Sequence, residues 1–383
     1  MKKVVAFVLA AAMLACMMCG CAAKKDEASA TFKFGGSGPL TGDAAIYGIS
    51  AMQGAQIAVD EINAAGGING SKIELKFEDD VADGETAVNA YNTLMDWGMQ
   101  VMVGAVTTGA CISMSAVANE DRTFCLTPSA SSADVTAGKD MMYQVCFTDP
   151  NQGVGSADYI AANIPGKTIA VIYRNDDAYS QGIRDTFIAE AAVKGLNIVY
   201  EGTFTKDIQT DFSVQLTAAQ AAGADFIYLP IYYQPASVIL TQADQMGYAP
   251  TFFGVDGMDG ILTMEGFEPA KAEGVMLLTP FAADAQDELT VNFVKKYKTA
   301  YGETPTQFAA DGYDCVYALK VAMEKAGCKA SMSSKEICEL LVKTFSTISV
   351  DGLTGKGMTW GTNGEVSKMP TAVVIKDGVY VSA

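Results

Sequence analysis

A small set of polar and aromatic side chains sits just past the ends of the apolar runs. Thr107 and Thr108 follow "VMVGAV", and Ser129, Ala130 and Ser131 follow "TFCLTP". Tyr179 follows "TIAVIYRNDDA", Tyr232 and Tyr233 follow "DFIYLPI", and Asp256 follows "TFFGV". Hydroxyls and loop amides donate hydrogen bonds to an anion, and a helix starting at "TTGACISMS" adds free amides of its own. The anion can be a nucleotide phosphate, a reaction oxyanion or a ligand carboxylate. The loop lacks the lysine and the glycine spacing of a nucleotide P-loop, which disfavours phosphate. Asp256 can accept from a cation, and the tyrosines offer apolar walls with a polar tip. A carboxylate beside an ammonium, as in an α-amino acid, suits this inventory. Taken singly, each residue also has a plain structural role. The threonines can cap a helix, Asp256–Gly257 can be an ordinary turn, and the tyrosines can be packing residues.

These residues need a scaffold that gathers strand ends. Strand and helix patterns alternate along the chain: "FKFGGSGPL", "KIELKFEDD", "VMVGAV" and "TFCLTP" read as strands with helices between them. In the first helix Ile49, Met52, Gln56, Val59 and Ile62 fall at helical intervals, and Gly66–Gly67 stop it. The rhythm restarts near Pro150 with a helix at "ADYIAANIPG", then strands at "TIAVIY", "NIVYEGTF", "DFIYLPIYY" and "TFFGVDG". Strands this apolar are covered by helices on both faces, so each run predicts a parallel, doubly wound α/β sheet. Two runs predict two lobes with short crossovers at Val145–Pro150, Met276–Phe281 and Val350–Gly355. Glu288 to Thr347 is mostly helical, and "TAVVIKDGVYV" is a hairpin with an Asp–Gly turn. Ligands of such sheets bind beyond the carboxyl ends of the strands.

Composition narrows the chemistry. The 383 residues include 26 Lys and Arg against 44 Asp and Glu, a formal charge of −18. That charge repels nucleic acid and anionic lipid. There is no histidine, which removes Ser–His and Cys–His nucleophiles, imidazole acid–base catalysis and His metal ligands. Cys111, Cys125, Cys146, Cys315, Cys328 and Cys338 form no CxxC or metal spacing, and most lie in apolar runs as buried thiols. The reading includes no cofactor and no metal.

The N-terminus carries an address. Lys2 and Lys3 precede the apolar Val4–Leu14, too short a run to span a bilayer, and residues 1–20 read as a signal peptide. Gly20–Cys21 resembles a bacterial lipobox, with Cys21 as the lipidated residue and Ala15–Cys16 as the alternative. The polar stretch that follows, through residue 30, reads as a tether.

From about Thr31 to Ala383 the chain resembles the leucine/isoleucine/valine-binding proteins of amino-acid ABC importers. The motifs that carry the likeness are "GPLTGDAAIYG…GAQIAVDEINAAGGING", "VGAVTTGA", "LTPSASSADVT", "DDAYSQG", "YYQPA" and "GVDG". The resemblance implies a type I periplasmic binding protein fold: two Rossmann-like lobes joined by crossover hinge strands, closing over the ligand. Residues 31–148 and 281–350 are then the first lobe, and 149–280 and 351–383 the second. In that family a serine at the place of Thr108 and a small-residue loop at Ala130–Ser131 bind the ligand carboxylate. An acid at the place of Asp256, with a tyrosine at Tyr232, receives the ammonium, and aromatics at Tyr47 and Tyr179 close over it. Threonine replaces the serine here, and aspartate replaces the more usual glutamate. With Thr107, these residues are the expected site. The implied protein is a monomeric, lipid-anchored extracytoplasmic receptor that hands an aliphatic L-amino acid to a membrane permease and its ATPase. Alternatives are a receptor for urea, short amides or another small organic acid, and a ligand-sensing subunit of a signalling system. A hydrolase using carboxylate catalysts is a further class, without a GxSxG elbow or a close pair of acids to support it.

Overall fold

The computed structural model describes residues 30–383. Cys16, Cys21 and the signal peptide expected at residues 1–20 lie outside these residues. The first sheet contains β1 (Phe32–Gly38), β2 (Ile73–Asp79), β3 (Val101–Val103), β4 (Phe124–Thr127) and β5 (Met142–Gln144), in the order β2-β1-β3-β4-β5 and all parallel. The second contains β6 (Thr168–Arg174), β7 (Asn197–Phe204), β8 (Phe226–Leu229), β9 (Thr251–Gly254) and β10 (Met276–Thr279), in the parallel order β7-β6-β8-β9-β10. The hairpin β11 (Thr371–Lys376) and β12 (Val379–Ser382) extends it antiparallel beside β10. Asp377 and Gly378 turn the hairpin with φ of +51° and +73°, as a two-residue type I′ turn requires. Both sheets reverse direction after their first strand. The switch points therefore lie between β1 and β3 and between β6 and β8, where crevices open beyond the strand ends.

The strands are buried because helices cover both faces; β3, β4 and β8 have no exposed residue. The first lobe carries α1 (Ala45–Ala64), α2 (Gly84–Trp97) and α3 (Thr108–Asp121), and the second α4 (Asp149–Asn163), α5 (Ala178–Lys194), α6 (Ser213–Ala221) and α7 (Tyr233–Gln245). The chain then returns to the first lobe as α8 (Glu288–Tyr301), α9 (Gln307–Ala326) and α10 (Ser334–Thr344). Local signals set the helix ends. The Asp83 side chain accepts the Thr86 amide at the start of α2, and Ser333 with Glu336 forms a capping box on α10. Helices α1 and α9 cross closely because both lack a side chain at the contact. A Cβ on Gly54 would overlap the Ala309 carbonyl, and one on Gly312 the Ala51 carbonyl. The six cysteines among the described residues are buried free thiols.

Three sequence expectations change. Helix α4 begins at Asp149 with Pro150 in its first turn, eight residues before the apolar run that signalled it; proline is compatible with that position. "DFIYLPIYY" is strand only to Leu229, and Tyr233 already belongs to α7. The division at residue 350 is the third. Val350, Leu353, Met358, Trp360 and Val366 pack in the core of the first lobe. The buried Asp314 carboxylate on α9 accepts the Leu353 and Thr354 amides at 2.8 and 2.9 Å, and Trp360 Nε1 donates to the Gln144 carbonyl at 2.8 Å. The return to the second sheet thus falls between Val366 and Thr371, not at Val350–Gly355. There Lys368 Nζ makes a buried ion pair with Asp311 of α9 at 2.8 Å.

Candidate functional site

On the first-lobe side, "TTGA" ends the turn after β3 and starts α3. Thr107 is the N-cap, and its hydroxyl makes no cap hydrogen bond and is buried without any partner. The first amides of α3 have no acceptor within the helix and face the crevice at its start. Thr108 Oγ1 accepts the Ser131 amide at 3.2 Å, and Thr127 Oγ1 accepts the Ala130 amide at 3.0 Å. The Ser131 hydroxyl is buried beside the Asp149 carboxylate. Helix α1, after β1, contributes Tyr47.

On the second-lobe side, Tyr179 lies in the first turn of α5, Tyr232 caps α7, and Asp256 follows β9. The Tyr179 hydroxyl donates to Asp256 Oδ1 at 2.5 Å and accepts the Gly257 amide at 2.9 Å. Burial raises the Asp256 carboxyl to about 7, with the Tyr179 hydroxyl pulling the other way. Asp149 is a second acid at the first crossover. Its carboxylate is fully buried beside the Ser131 hydroxyl; burial, reinforced by nearby Asp256, holds it well above the usual carboxylate range, with the Ser131 hydroxyl pulling the other way. Gln152, one turn along α4, accepts the Asp256 amide at 3.3 Å, and its side chain also steadies the Asp256 carboxylate.

The two sides meet through aromatic rings. Tyr47 stands edge-on to Tyr232 with centroids 5.2 Å apart and tilts over Phe308 at 4.4 Å. Its hydroxyl donates to the Gly257 carbonyl and accepts the Tyr233 amide at 3.2 Å. Tyr47, Ala51, Val106 and Phe308 of the first lobe share one apolar cluster with Leu229, Ile231 and Met258 of the second. Gln307, at the start of α9, ties the lobes from the side: its Nε2 donates to the Asp256 carbonyl at 2.8 Å and its Oε1 accepts from Thr279 at 3.0 Å.

Tyr47, Thr107, Thr108, Tyr179, Tyr232 and Asp256 line one inner pocket, together with Val106, Ser129, Gly257 and Phe308. Ala130 and Ser131 stand behind its wall, with both amides bonded inside the protein. The sequence pattern does not single out Phe308, Gln307, Gln152 or Asp149. Asp149 and Gln152 lie at the start of α4, just past the first crossover, and Gln307 and Phe308 at the start of α9, which follows α8. The inner pocket encloses about 10 Å³, room for about one water. It continues past Thr107 and Tyr232 into a cleft of about 420 Å³ between the lobes, which also exposes Asp43, Asp83, Arg174, Asp177 and Lys206. Among the described residues no cluster of three or more His, Cys, Asp or Glu could hold a metal. What the arrangement can do is hold a small dipolar molecule between lobes that move apart to admit it.

The profile of the periplasmic binding protein family matches residues 31–378. The Leu/Ile/Val-binding protein homolog 3 of Brucella melitensis is 31% identical over 290 residues, 76% of this chain and 77% of the relative. A leucine binding protein, LivK, from Thermotoga maritima superposes with a TM-score of 0.82 at 27% identity, covering 92% of this chain and 98% of its own. LivJ from Streptococcus pneumoniae, solved in complex with isoleucine, gives 0.82 at 28% identity over 92% and 100%. The chain belongs to the periplasmic binding protein family, in its leucine/isoleucine/valine-binding branch: it is a substrate-binding protein of the transporter type, with the type I fold, and not an enzyme.

Proposed function

We propose that this chain is the extracytoplasmic, lipid-anchored receptor of an ABC importer, and that its interlobe cleft takes an aliphatic L-amino acid. The observation that carries the reading is the pairing of opposite demands across one pocket. The start of α3 and the unpartnered hydroxyl of Thr107 call for an anion. The buried Asp256 calls for a cation. Tyr47, Val106, Tyr232 and Phe308 supply apolar wall for a hydrocarbon side chain. Binding stabilises the closed arrangement of the lobes and so shifts an open–closed equilibrium. The closed receptor then docks on a permease served by an ATPase. The lipid is on Cys21, or on Cys16 if the earlier boundary is cut; intact-protein mass spectrometry of the membrane-extracted protein decides between them. Calorimetry of ligand-stripped, tether-free protein against the common amino acids tests the ligand class. The reading expects tight 1:1 binding of leucine, isoleucine or valine, and a flat response to all amino acids overturns it.

A second reading is favoured by one feature. With Asp256 raised to about 7 and hydrogen-bonded by Tyr179, a neutral ligand such as a short amide or urea also finds a partner. Including acetamide, urea and isovalerate in the same titrations separates the two.

A further inference from the structure

The first turn of α4 stands where the first crossover enters the second lobe, and two of its side chains serve opposite ends of the pocket. Asp149 and Gln152 are three positions apart on the helix and so share one face of it. They are 1% and 0% exposed. Asp149 connects to the first lobe. Its main-chain amide donates to the Ser131 carbonyl at 3.0 Å, and its carboxyl lies beside the Ser131 hydroxyl. Ser131 in turn donates its amide to Thr108 Oγ1 at 3.2 Å, at the start of α3. Gln152 connects to the second lobe. Its Oε1 accepts the Asp256 amide at 3.3 Å, and its side chain steadies the Asp256 carboxylate. One helical turn thus joins the anion pole to the cation pole from behind the pocket wall.

The turn is stiff. Pro150 fixes the backbone within it. Gly153 lets α4 press on α5, where a Cβ would overlap the Thr186 hydroxyl and the Ile183 carbonyl. Asp149 faces other acids. Burial, with Asp256, Asp177 and Asp134 adding to it and the Ser131 hydroxyl pulling the other way, holds its carboxyl well above the usual range. Cys146, Tyr228 and Tyr232 lie near it as well. An uncharged acid in such a place acts by hydrogen bonding, which fixes distance and direction.

We propose that the first turn of α4 sets the distance between the two poles of the pocket, with Asp149 as its positioning residue on the first-lobe side. The inference rests on the amino-acid reading of the cleft and adds the charge spacing that the ligand must bring. An α-amino acid carries its carboxylate and ammonium on one carbon. A β-amino acid puts a further methylene between them and needs the Thr108 and Asp256 poles further apart. With Asp149 holding the Ser131 loop and Gln152 holding Asp256, the poles keep their spacing and the longer ligand is rejected.

The test is calorimetric titration with L-leucine and L-β-homoleucine, which carry the same side chain. The parent should prefer leucine at least about tenfold. Asp149→Asn keeps an uncharged hydrogen-bonding group of the same shape and should retain both affinity and preference. Asp149→Ala leaves the Ser131 hydroxyl without its neighbour. Leucine should weaken about 5- to 150-fold and β-homoleucine less, so the preference shrinks. Ser131→Ala should shrink it in the same way from the other side of the contact, and it carries the test if Asp149→Ala does not fold. General damage to the fold weakens both ligands alike. Equal binding of the two ligands by the parent, an unchanged preference in Asp149→Ala or Ser131→Ala, or Asp149→Asn as weak as Asp149→Ala would each overturn the proposal. If the parent binds neither ligand, the amino-acid reading fails and the spacing claim fails with it. The Asp149–Ser131 contact is then decided by urea unfolding of the parent, both alanine variants and the double variant: losses that fail to add support it, and additive losses overturn it.

Discussion

The hydroxyl of Tyr47, on the first lobe, donates to the main-chain carbonyl of Gly257, on the second, while accepting the amide of Tyr233. One side chain thus fastens two backbone segments of the opposite lobe beside the inner pocket. Tyr47→Phe keeps the ring against Tyr232 and Phe308 but leaves that carbonyl and that amide buried and unpartnered. The closed form should lose about 1–3 kcal/mol. In stopped-flow fluorescence the loss should fall mainly on ligand dissociation, which becomes roughly 5- to 150-fold faster. An unchanged dissociation rate would mean that the latch does not hold the closed state.

Closure itself is measurable. The inner pocket, at about 10 Å³, is too small for an amino acid to enter without movement. Small-angle scattering should give a larger radius of gyration for the ligand-stripped protein than for the saturated one. Equal radii would point to a preformed site. Ligand at a hundredfold excess over Kd should also add about 2.7 kcal/mol of stability.

Asp256 makes both binding and stability depend on pH. Burial raises its folded-state carboxyl from the ordinary 3.8 to about 7. Between those values the folded ligand-free protein holds a proton that the unfolded chain has released, so this group's contribution to stability falls as pH rises from about 4 to 7. Urea unfolding of ligand-free protein should show that fall in the parent relative to Asp256→Asn. Ammonium binding needs the ionised carboxylate, so affinity for an amino acid should instead increase as pH rises through 7. A parent and variant with parallel stability profiles would contradict the assignment.

Two positions away from the site test the scaffold. Gly54→Ala places a methyl against the Ala309 carbonyl at the α1–α9 crossing and should cost about 1–3 kcal/mol in urea unfolding. Lys368→Met leaves Asp311 buried without its cation and should cost about 3–5 kcal/mol. The Lys368 loss should largely vanish in the double variant Lys368→Met/Asp311→Leu, because the uncompensated charge is then gone.

The sequence made some of this legible and hid the rest for physical reasons. Thr107, Thr108, Tyr179 and Asp256 were readable because apolar strands announce their own carboxyl ends, and the residues just beyond those ends point into the crevice. Ala130 and Ser131 follow the same rule, yet Thr127 and Thr108 capture their amides and turn that loop into a backing wall. Phe308, Gln307 and Gln152 arrive from helix starts whose position depends on how the returning chain packs, which no local pattern encodes. Residues 351–366 looked like part of the second lobe because their isolated β-bridges are too short to signal a sheet. The backbone grip of Asp314 and the Trp360–Gln144 hydrogen bond settle where they go.

The central claim is that the cleft clamps both poles of a zwitterion, one from each lobe. Competition calorimetry at pH 8 tests it most directly, with leucine, isovalerate and isoamylamine titrated into the parent and into Asp256→Asn. The account predicts that leucine binds the parent 1:1 and that isovalerate and isoamylamine fail to displace it. Asp256→Asn should weaken leucine by roughly 2–5 kcal/mol, about 30- to several-thousand-fold. Equal competition by isovalerate, or leucine binding to Asp256→Asn as tightly as to the parent, would contradict it.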